Sequence, residues 1–267
     1  MNIFEAIILG VVQGAGEFLP ISSSGHLIVV PWLMGWTEHS LAFDVALHLG
    51  TLVAVAAALL GDWVRMIQGA LLSLKAHGNP FVSEDGRRLG FLAVASIPGG
   101  VFGLLLNDLA ESTFRSALLV AATMSAMGLV LWLADARSPT SRGIEAWTFR
   151  DAMIMGFAQA LALVPGVSRS GATISAARFL GYERNAAARL SFLMALPVTL
   201  GAVILKVPKM LAGGVEASLV AGIVTAALVG LVSIRVLFAW VRTGSYLPFV
   251  LYRFAFSSLV IAFWLFR

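Results

Sequence analysis

The sequence predicts an all-α integral membrane protein, an inverted-topology internal repeat of six transmembrane helices and two re-entrant helix-loop-helix hairpins. Composition gives the first reason: of 267 residues, 59% are hydrophobic and 12% charged, with a mean hydropathy of +0.92. Soluble domains carry about 25% charged residues, so most of this chain must face lipid. The second reason is a duplication. Gly10, Gln13, Ser22, Ser24 and Gly25 recur 146 residues later as Gly156, Gln159, Ser168, Ser170 and Gly171. Pro20 and Pro165 are one step out of register, and the copy continues as Gly35-Trp36 against Gly181-Tyr182. A polar loop repeated in both halves of an apolar chain marks a binding site made by duplication. Third, three of the predicted spans separate the two patches, so the patches enter from opposite faces.

The elements follow in order. Residues 2–36 are long enough to span, since about 20 apolar residues suffice, but the Pro20–His26 patch breaks them. Non-helical backbone at membrane depth survives only when buried in protein or lining a wet cavity, so this stretch reads as half-helix, loop, half-helix. A kinked full span is the other reading. Apolar length predicts spans over about 41–61, 89–106 and 116–135, with 62–88 as a connecting loop whose most polar part is 76–88. Residues 149–182 form the second broken hairpin around Pro165–Thr173. Spans over about 186–206, 217–240 and 247–266 complete one membrane domain, 1–267, with repeat halves of about 1–135 and 147–267.

Loop charge sets orientation. Arg65, Lys75, Arg87, Arg88, Arg137, Arg142, Arg150, Arg184 and Arg242 fall on one face, against Arg115, Lys206, Lys209 and Arg267 on the other. The first group belongs in the cytoplasm and both termini outside. Trp32, Trp36, Trp63, Trp132, Trp147, Trp240 and Trp264 mostly sit near span ends, as interfacial anchors do. The start, Met1-Asn-Ile-Phe-Glu5, has no basic region, so no removable signal peptide is expected. The chain has no cysteine, which excludes disulfides, thiolate catalysis and cysteine-bound zinc. Its net charge of +4 reports topology, and no nucleic-acid partner is expected.

Chemistry concentrates in the patches. Glu17 is an ionisable group inside an apolar hairpin, where function is the default reading. Arg169 occupies the second loop, aligned by the repeat with Ser23, and the two tips should meet near the midplane. A plain ion pair tying the halves together is the bland alternative. Ser22, Ser23, Ser24, Ser168, Ser170 and Thr173 lie where new half-helices begin, and a helix N-terminus with free N–H groups binds phosphate. Gly25 and Gly171 would let an anion approach the backbone. His26, one turn from Ser22 and Ser23, is a candidate proton shuttle, though a packed core histidine is equally compatible. Gln13, one turn before Glu17, can orient a ligand or water. His48 lies in an apolar span, while His39 and His77 read as loop residues.

These residues resemble a known family. Gln13-Gly-Ala-Gly-Glu17-Phe-Leu-Pro-Ile-Ser-Ser-Ser-Gly-His26 and Pro165-Gly-Val-Ser-Arg-Ser-Gly-Ala-Thr173 are similar to the two signatures of the undecaprenyl-diphosphate phosphatases, or bacitracin-resistance proteins. Phe43-Asp-Val-x-x-x-His48-Leu-Gly-Thr51, Ser191-Phe-Leu-Met-Ala-Leu-Pro197 and Pro248-Phe-x-x-Tyr-Arg253 extend the likeness over essentially the whole chain. The resemblance implies hydrolysis of undecaprenyl diphosphate to the monophosphate at the outer face of the bacterial inner membrane. That reaction recycles the lipid carrier for peptidoglycan synthesis and confers bacitracin resistance. It also implies dependence on a divalent cation, Mg or Ca, with Glu17 as the available ligand. Members commonly carry Glu where this chain has Gln13, which weakens a two-carboxylate clamp. The partners expected are the polyprenyl diphosphate and membrane lipid, and a homodimer is compatible with the sequence.

Two other functions share parts of this pattern. Acid-phosphatase-like lipid phosphatases need Lys-x6-Arg-Pro, and this chain has three lysines and no Arg-Pro. A lipid-phosphate flippase or transporter shares the inverted-repeat plan. Within the phosphatase reading, Ser23 is the expected nucleophile, Glu17 its base or cation ligand, His26 an acid or base, and Arg169 the anion grip. Ser22 and Ser24 remain alternatives for the nucleophile, as does an activated water.

Overall fold

The computed structural model describes residues 2–37, 41–106, 116–138, 141–212 and 216–266, side chains 41, 42 and 206–212 excepted. His39, Arg115 and Arg267 lie outside these residues, as do the side chains of Lys206 and Lys209. The described residues are helical with no β-strand beyond one isolated bridge, Arg142 to Tyr182.

Each broken region is a pair of short helices. Helix α1 (Ile3–Phe18) starts at a capping box, in which the Glu5 N–H donates to Asn2 Oδ1 at 2.8 Å and the Asn2 N–H to Glu5 Oε2 at 3.2 Å. It stops before Pro20, because the residue preceding a proline is pushed out of helical geometry. After three loop residues and a cap at Ser22, α2 (Ser23–Met34) begins; it ends at Gly35, whose φ of 67° closes the helix in the left-handed region. The second pair is α7 (Phe149–Ala160), a single 3-10 turn (Leu161–Leu163), and α8 (Arg169–Phe179) capped by Ser168.

Between and after the pairs lie α3 (Leu41–Ala58), α4 (Leu60–His77), α5 (Glu84–Leu105), α6 (Ala117–Arg137), α9 (Arg184–Ala212), α10 (Ala217–Trp240) and α11 (Leu247–Phe266). Among the described residues five of these, α5, α6, α9, α10 and α11, are long and apolar enough to cross a membrane; α3 and α4, bent by 68° where they meet, pass the same test only as a pair. The chain is therefore a multi-pass membrane protein.

One expectation is corrected: 62–88 is not a loop. Leu60, Val64, Ile67, Leu71 and Leu74 recur at helical spacing and are exposed, while Met66, Ala70 and Ser73 are buried. That pattern continues the chain as α4, which packs on α5. Only 78–83 remain as a connection, opened by Gly78 at φ 68° and closed by the Ser83 cap of α5.

Packing follows the duplication. Helix α1 packs on α10, and its repeat counterpart α7 packs on α5, the counterpart of α10; α3 pairs with α9, and α6 with α11. Each half thus supplies the surface for the other half's hairpin. The repeated glycine is the reason the first contact is close. A Cβ at Gly10 would lie 2.6 Å from the Gly222 carbonyl, and one at Gly156 would lie 2.6 Å from the Ala95 carbonyl. Small residues let membrane helices approach this closely.

One end of the bundle is tied by buried charge. Asp135 Oδ1 accepts from Arg178 Nε at 3.1 Å and Arg184 Nε at 2.7 Å, while Oδ2 accepts from the Tyr246 N–H at 3.0 Å. Tyr182, in the turn after α8, donates to Asp151 Oδ2 at 2.6 Å. Burial, then its bond to Asp151, raises the phenol above its ordinary pKa and keeps it a donor.

Candidate active site

The two loops are built alike. Ser22 and Ser168 sit at φ 75° and 73°, the only non-glycine residues with positive φ among those described. Such a backbone costs about 1–3 kcal/mol per residue and persists only where the surroundings fix it. Each serine caps its own helix. The Gly25 N–H donates to Ser22 Oγ at 3.3 Å, and the Gly171 N–H to Ser168 Oγ at 3.1 Å. The third residue of each motif backs the cap, with Ser22 and Ser24 hydroxyls 3.3 Å apart and those of Ser168 and Ser170 3.1 Å apart. The repeat is therefore cap architecture, and the middle positions, Ser23 and Arg169, are left to face each other's half.

They meet at Glu17. Ser23 Oγ donates to Glu17 Oε2 at 2.7 Å, and Arg169 Nη2 donates to Glu17 Oε1 at 2.9 Å. Gln13 Nε2 reaches Glu17 Oε2 at 3.2 Å and Thr51 Oγ1 at 3.5 Å. Arg169 Nη1 donates to the Ser191 carbonyl at 3.1 Å, while its Nε is buried without a partner. A guanidinium with a spare buried donor beside a cavity is suited to a bound anion. The cavity is about 200 Å³. Glu17, Ser23, Ser24, His48, Gln159, Ser168, Arg169 and Thr199 give it a polar wall, and Gly99, Ala162, Leu163, Val198 and Ala202 an apolar one.

Several expected site residues turn away from this cavity. His26 is buried elsewhere: Nδ1 lies 2.7 Å from the Ser22 carbonyl, Nε2 2.7 Å from the Tyr252 hydroxyl, and its ring stacks on Phe256 with centroids 4.1 Å apart. Thr173 is fully buried, its Oγ1 2.8 Å from the Arg169 carbonyl and 2.7 Å from Ser191 Oγ. Ser170 is also fully buried and donates to the Leu19 carbonyl at 3.2 Å. Ser22 and Gln13 do not line the cavity; Ser22 is spent on its cap and Gln13 stands behind Glu17. Gly25 and Gly171 serve packing. A Cβ at Gly25 would come 3.3 Å from Gly166 Cα, and one at Gly171 2.5 Å from the Arg253 guanidinium.

His48 takes the place expected of His26. Its Nε2 lies 3.7 Å from Glu17 Oε2, and its Nδ1 2.7 Å from the Asp44 carbonyl, which fixes the ring. The pairing spans 31 residues, and the only hint in the sequence was the family-like Phe43-Asp-Val-x-x-x-His48 run. Gln159, the repeat partner of Gln13, also lines the cavity, with Oε1 buried and unpartnered.

Among the described residues no three His, Asp or Glu side chains group as metal ligands. Glu17 is the one carboxylate on the cavity wall, and donors already engage both its oxygens. That donor set does not fit a metal centre built by the protein alone, since hard cations collect six or more oxygens.

Comparison with known proteins shows the family. The family model for the bacitracin resistance protein BacA matches residues 6–259. An undecaprenyl-diphosphatase of Moorella thermoacetica is 47% identical over the full length of both chains. Proteins of the same name from Desulforudis audaxviator and Gemmatimonas aurantiaca are each 46% identical, over 100% and 98% of both chains respectively. With a family match from end to end and this loop pair at its centre, the chain belongs to the BacA bacitracin-resistance family.

Proposed function

We propose that the chain is a membrane phosphatase that hydrolyses undecaprenyl diphosphate to undecaprenyl phosphate and inorganic phosphate. It would thereby recycle the lipid carrier of peptidoglycan synthesis in the bacterial inner membrane and confer bacitracin resistance. The observation that carries this reading is the chain of contacts Ser23–Glu17–Arg169: a hydroxyl, its carboxylate acceptor and an anion grip on the wall of one cavity. The polar wall suits a diphosphate. The apolar wall suits the first prenyl units.

In this reaction Arg169, with its spare Nε, binds the terminal phosphate and offsets the charge that develops in the transition state. Ser23 Oγ attacks the terminal phosphorus as its proton passes to Glu17; the bond to the bridging oxygen breaks, and Glu17 hands that proton to the departing undecaprenyl phosphate. Water then gives a proton to the ionised Glu17, directly or through His48, and attacks the phosphoserine; the proton returns to Ser23 Oγ as phosphate leaves, restoring the hydroxyl. His48 is assigned this proton relay in place of His26, because His48 lines the cavity beside Glu17. A water that attacks directly, leaving Ser22, Ser23 and Ser24 as phosphate ligands, is the alternative route.

Glu17 and Arg169 cancel in charge, so cavity side chains alone do not balance a diphosphate. A Mg or Ca ion would supply further charge neutralisation; Glu17 is the wall carboxylate that would hold it, by giving up one of its present donors, and none of the steps above runs through it. The exchanged packing of the halves supports an inverted repeat, and the loop charges support a cavity opening to the outer face with both termini outside. Phosphate release by the purified protein in detergent, with no membrane to cross, tests the function. Release proportional to enzyme is expected. Its absence under conditions that preserve the fold would favour a transporter.

A further inference from the structure

Of the buried charges that the mechanism leaves unused, one has no counter-ion among the described residues. Arg253, near the start of α11, is fully buried, and among the described residues it forms no ion pair. Its guanidinium spends three donors on main-chain carbonyls. Nε donates to Pro20 at 2.5 Å, Nη1 to Gly166 at 3.3 Å and Nη2 to Val167 at 3.2 Å. Pro20 belongs to the first loop, and Gly166 and Val167 to the second. One side chain therefore bridges both. An ionised group at this depth is costly unless hydrogen-bonded, and unpaired loop carbonyls are costly too, so each satisfies the other.

Position in the chain gives the contact its meaning. Pro20 lies two residues before Ser22, and Gly166 and Val167 immediately precede Ser168. The guanidinium thus fixes the entry to both positive-φ caps, from which Ser23 and Arg169 are presented. Apart from it, the loops are tied by Ser170 Oγ on the Leu19 carbonyl and by Arg169 on Glu17. The neighbouring Tyr252 and Phe256 meet His26 on α2, so α11 grips the first hairpin with three side chains.

We propose that Arg253 is a positioning residue for the hydrolysis: it staples the two re-entrant loops at a fixed separation, so that Ser23 and Arg169 act on one phosphate. The proposal rests on the phosphatase reading above. A planar fork is what the task needs, because donors diverging in one plane reach two chain segments where an ammonium reaches one well. Misplacement of reacting groups by about 1 Å costs roughly a hundredfold in rate.

The test compares parent, Arg253→Lys and Arg253→Met proteins, purified in detergent, on undecaprenyl diphosphate. Spin labels at Ile21→Cys and Val164→Cys, introduced into each background of this cysteine-free chain, report the distance between loops. In Arg253→Met, kcat per folded molecule should fall about a hundredfold with KM within about threefold, and the distance distribution should broaden. Arg253→Lys should recover part of both, and it carries the test if the Met variant does not fold. A purely structural role would lower melting temperature and folded yield while leaving kcat per folded molecule and the label distance unchanged. That result in the Lys variant would overturn the proposal. Absence of phosphate release from the parent would instead contradict the phosphatase reading, and the label distances would still decide whether Arg253 holds the loops.

Discussion

At the scale of single residues, the duplicated Ser-x-Ser-Gly motif divides labour in a way the sequence only half discloses. The motif itself was legible, as was the pairing of Glu17 with Arg169, because ionisable groups in apolar hairpins need partners. What could not be read was which hydroxyls are consumed locally. Ser22 and Ser168 accept at helix caps, though Ser168 still lines the cavity; Ser170 and Thr173 go into main-chain and side-chain bonds, and Ser23 alone of the six is bonded to Glu17. His26 stood beside the serines in sequence, but its ring is turned by Tyr252, 226 residues away. Such long-range choices are invisible to local spacing. Arg169 carries the clearest residue-scale expectation. It grips Glu17 and the Ser191 carbonyl from one planar fork, and in the proposed reaction would hold the phosphate as well, which Lys cannot reproduce. Arg169→Lys should lose roughly a hundredfold or more in kcat/KM in a phosphate-release assay. Turnover within about threefold of the parent would remove the fork from the mechanism.

At the scale of elements, half-helices were legible because proline and serine break an apolar run, and full spans because length suffices. Helix α4 was missed because its polar residues, Asp62, Arg65, Gln68 and Lys75, suggested a loop. Asp62 is buried against Arg189, with contacts of 2.5 and 3.0 Å, so one of those charges is structural rather than solvated. The remaining pattern is three-sided. Met66, Ala70 and Ser73 are buried, Val64, Ile67 and Leu71 form an exposed apolar stripe, and Gln68 and Lys75 follow a polar edge. A helix with that pattern, turned 68° from the span before it, is suited to the membrane interface with its stripe in lipid. Val64→Cys and Leu71→Cys should accordingly react slowly with a membrane-impermeant maleimide in inverted vesicles, and Gln68→Cys quickly. Equal, rapid labelling of all three would place the stripe in water.

At the scale of the whole molecule, the fold is two halves that complete one another. The duplication was legible in the 146-residue offset, whereas the exchange of hairpins, α1 onto α10 and α7 onto α5, emerges only from the packing. The tie that joins the loops was not. Arg253 read as part of a family-like run, and nothing near it in sequence pointed to Pro20 or Val167. Orientation gives the prediction at this scale. Glu84 opens α5 on the face richer in basic loop residues, so Glu84→Cys should be labelled only after the cytoplasmic face is opened. Labelling from outside intact cells would reverse the topology and, with it, the outward opening of the cavity.

The central claim, that one carboxylate, one serine and one arginine drawn from two loops break a phosphoanhydride, is tested most directly at Ser23. Removal of a charge-stabilising donor costs roughly a hundred- to a thousandfold, and removal of the attacking hydroxyl should cost more. The decisive measurement is kcat for undecaprenyl diphosphate by Ser23→Ala in detergent, beside Glu17→Gln. The account predicts a fall of at least about a thousandfold in Ser23→Ala. Retention of a tenth of the parental rate by Ser23→Ala, with Glu17→Gln inactive, would make water the nucleophile and contradict it.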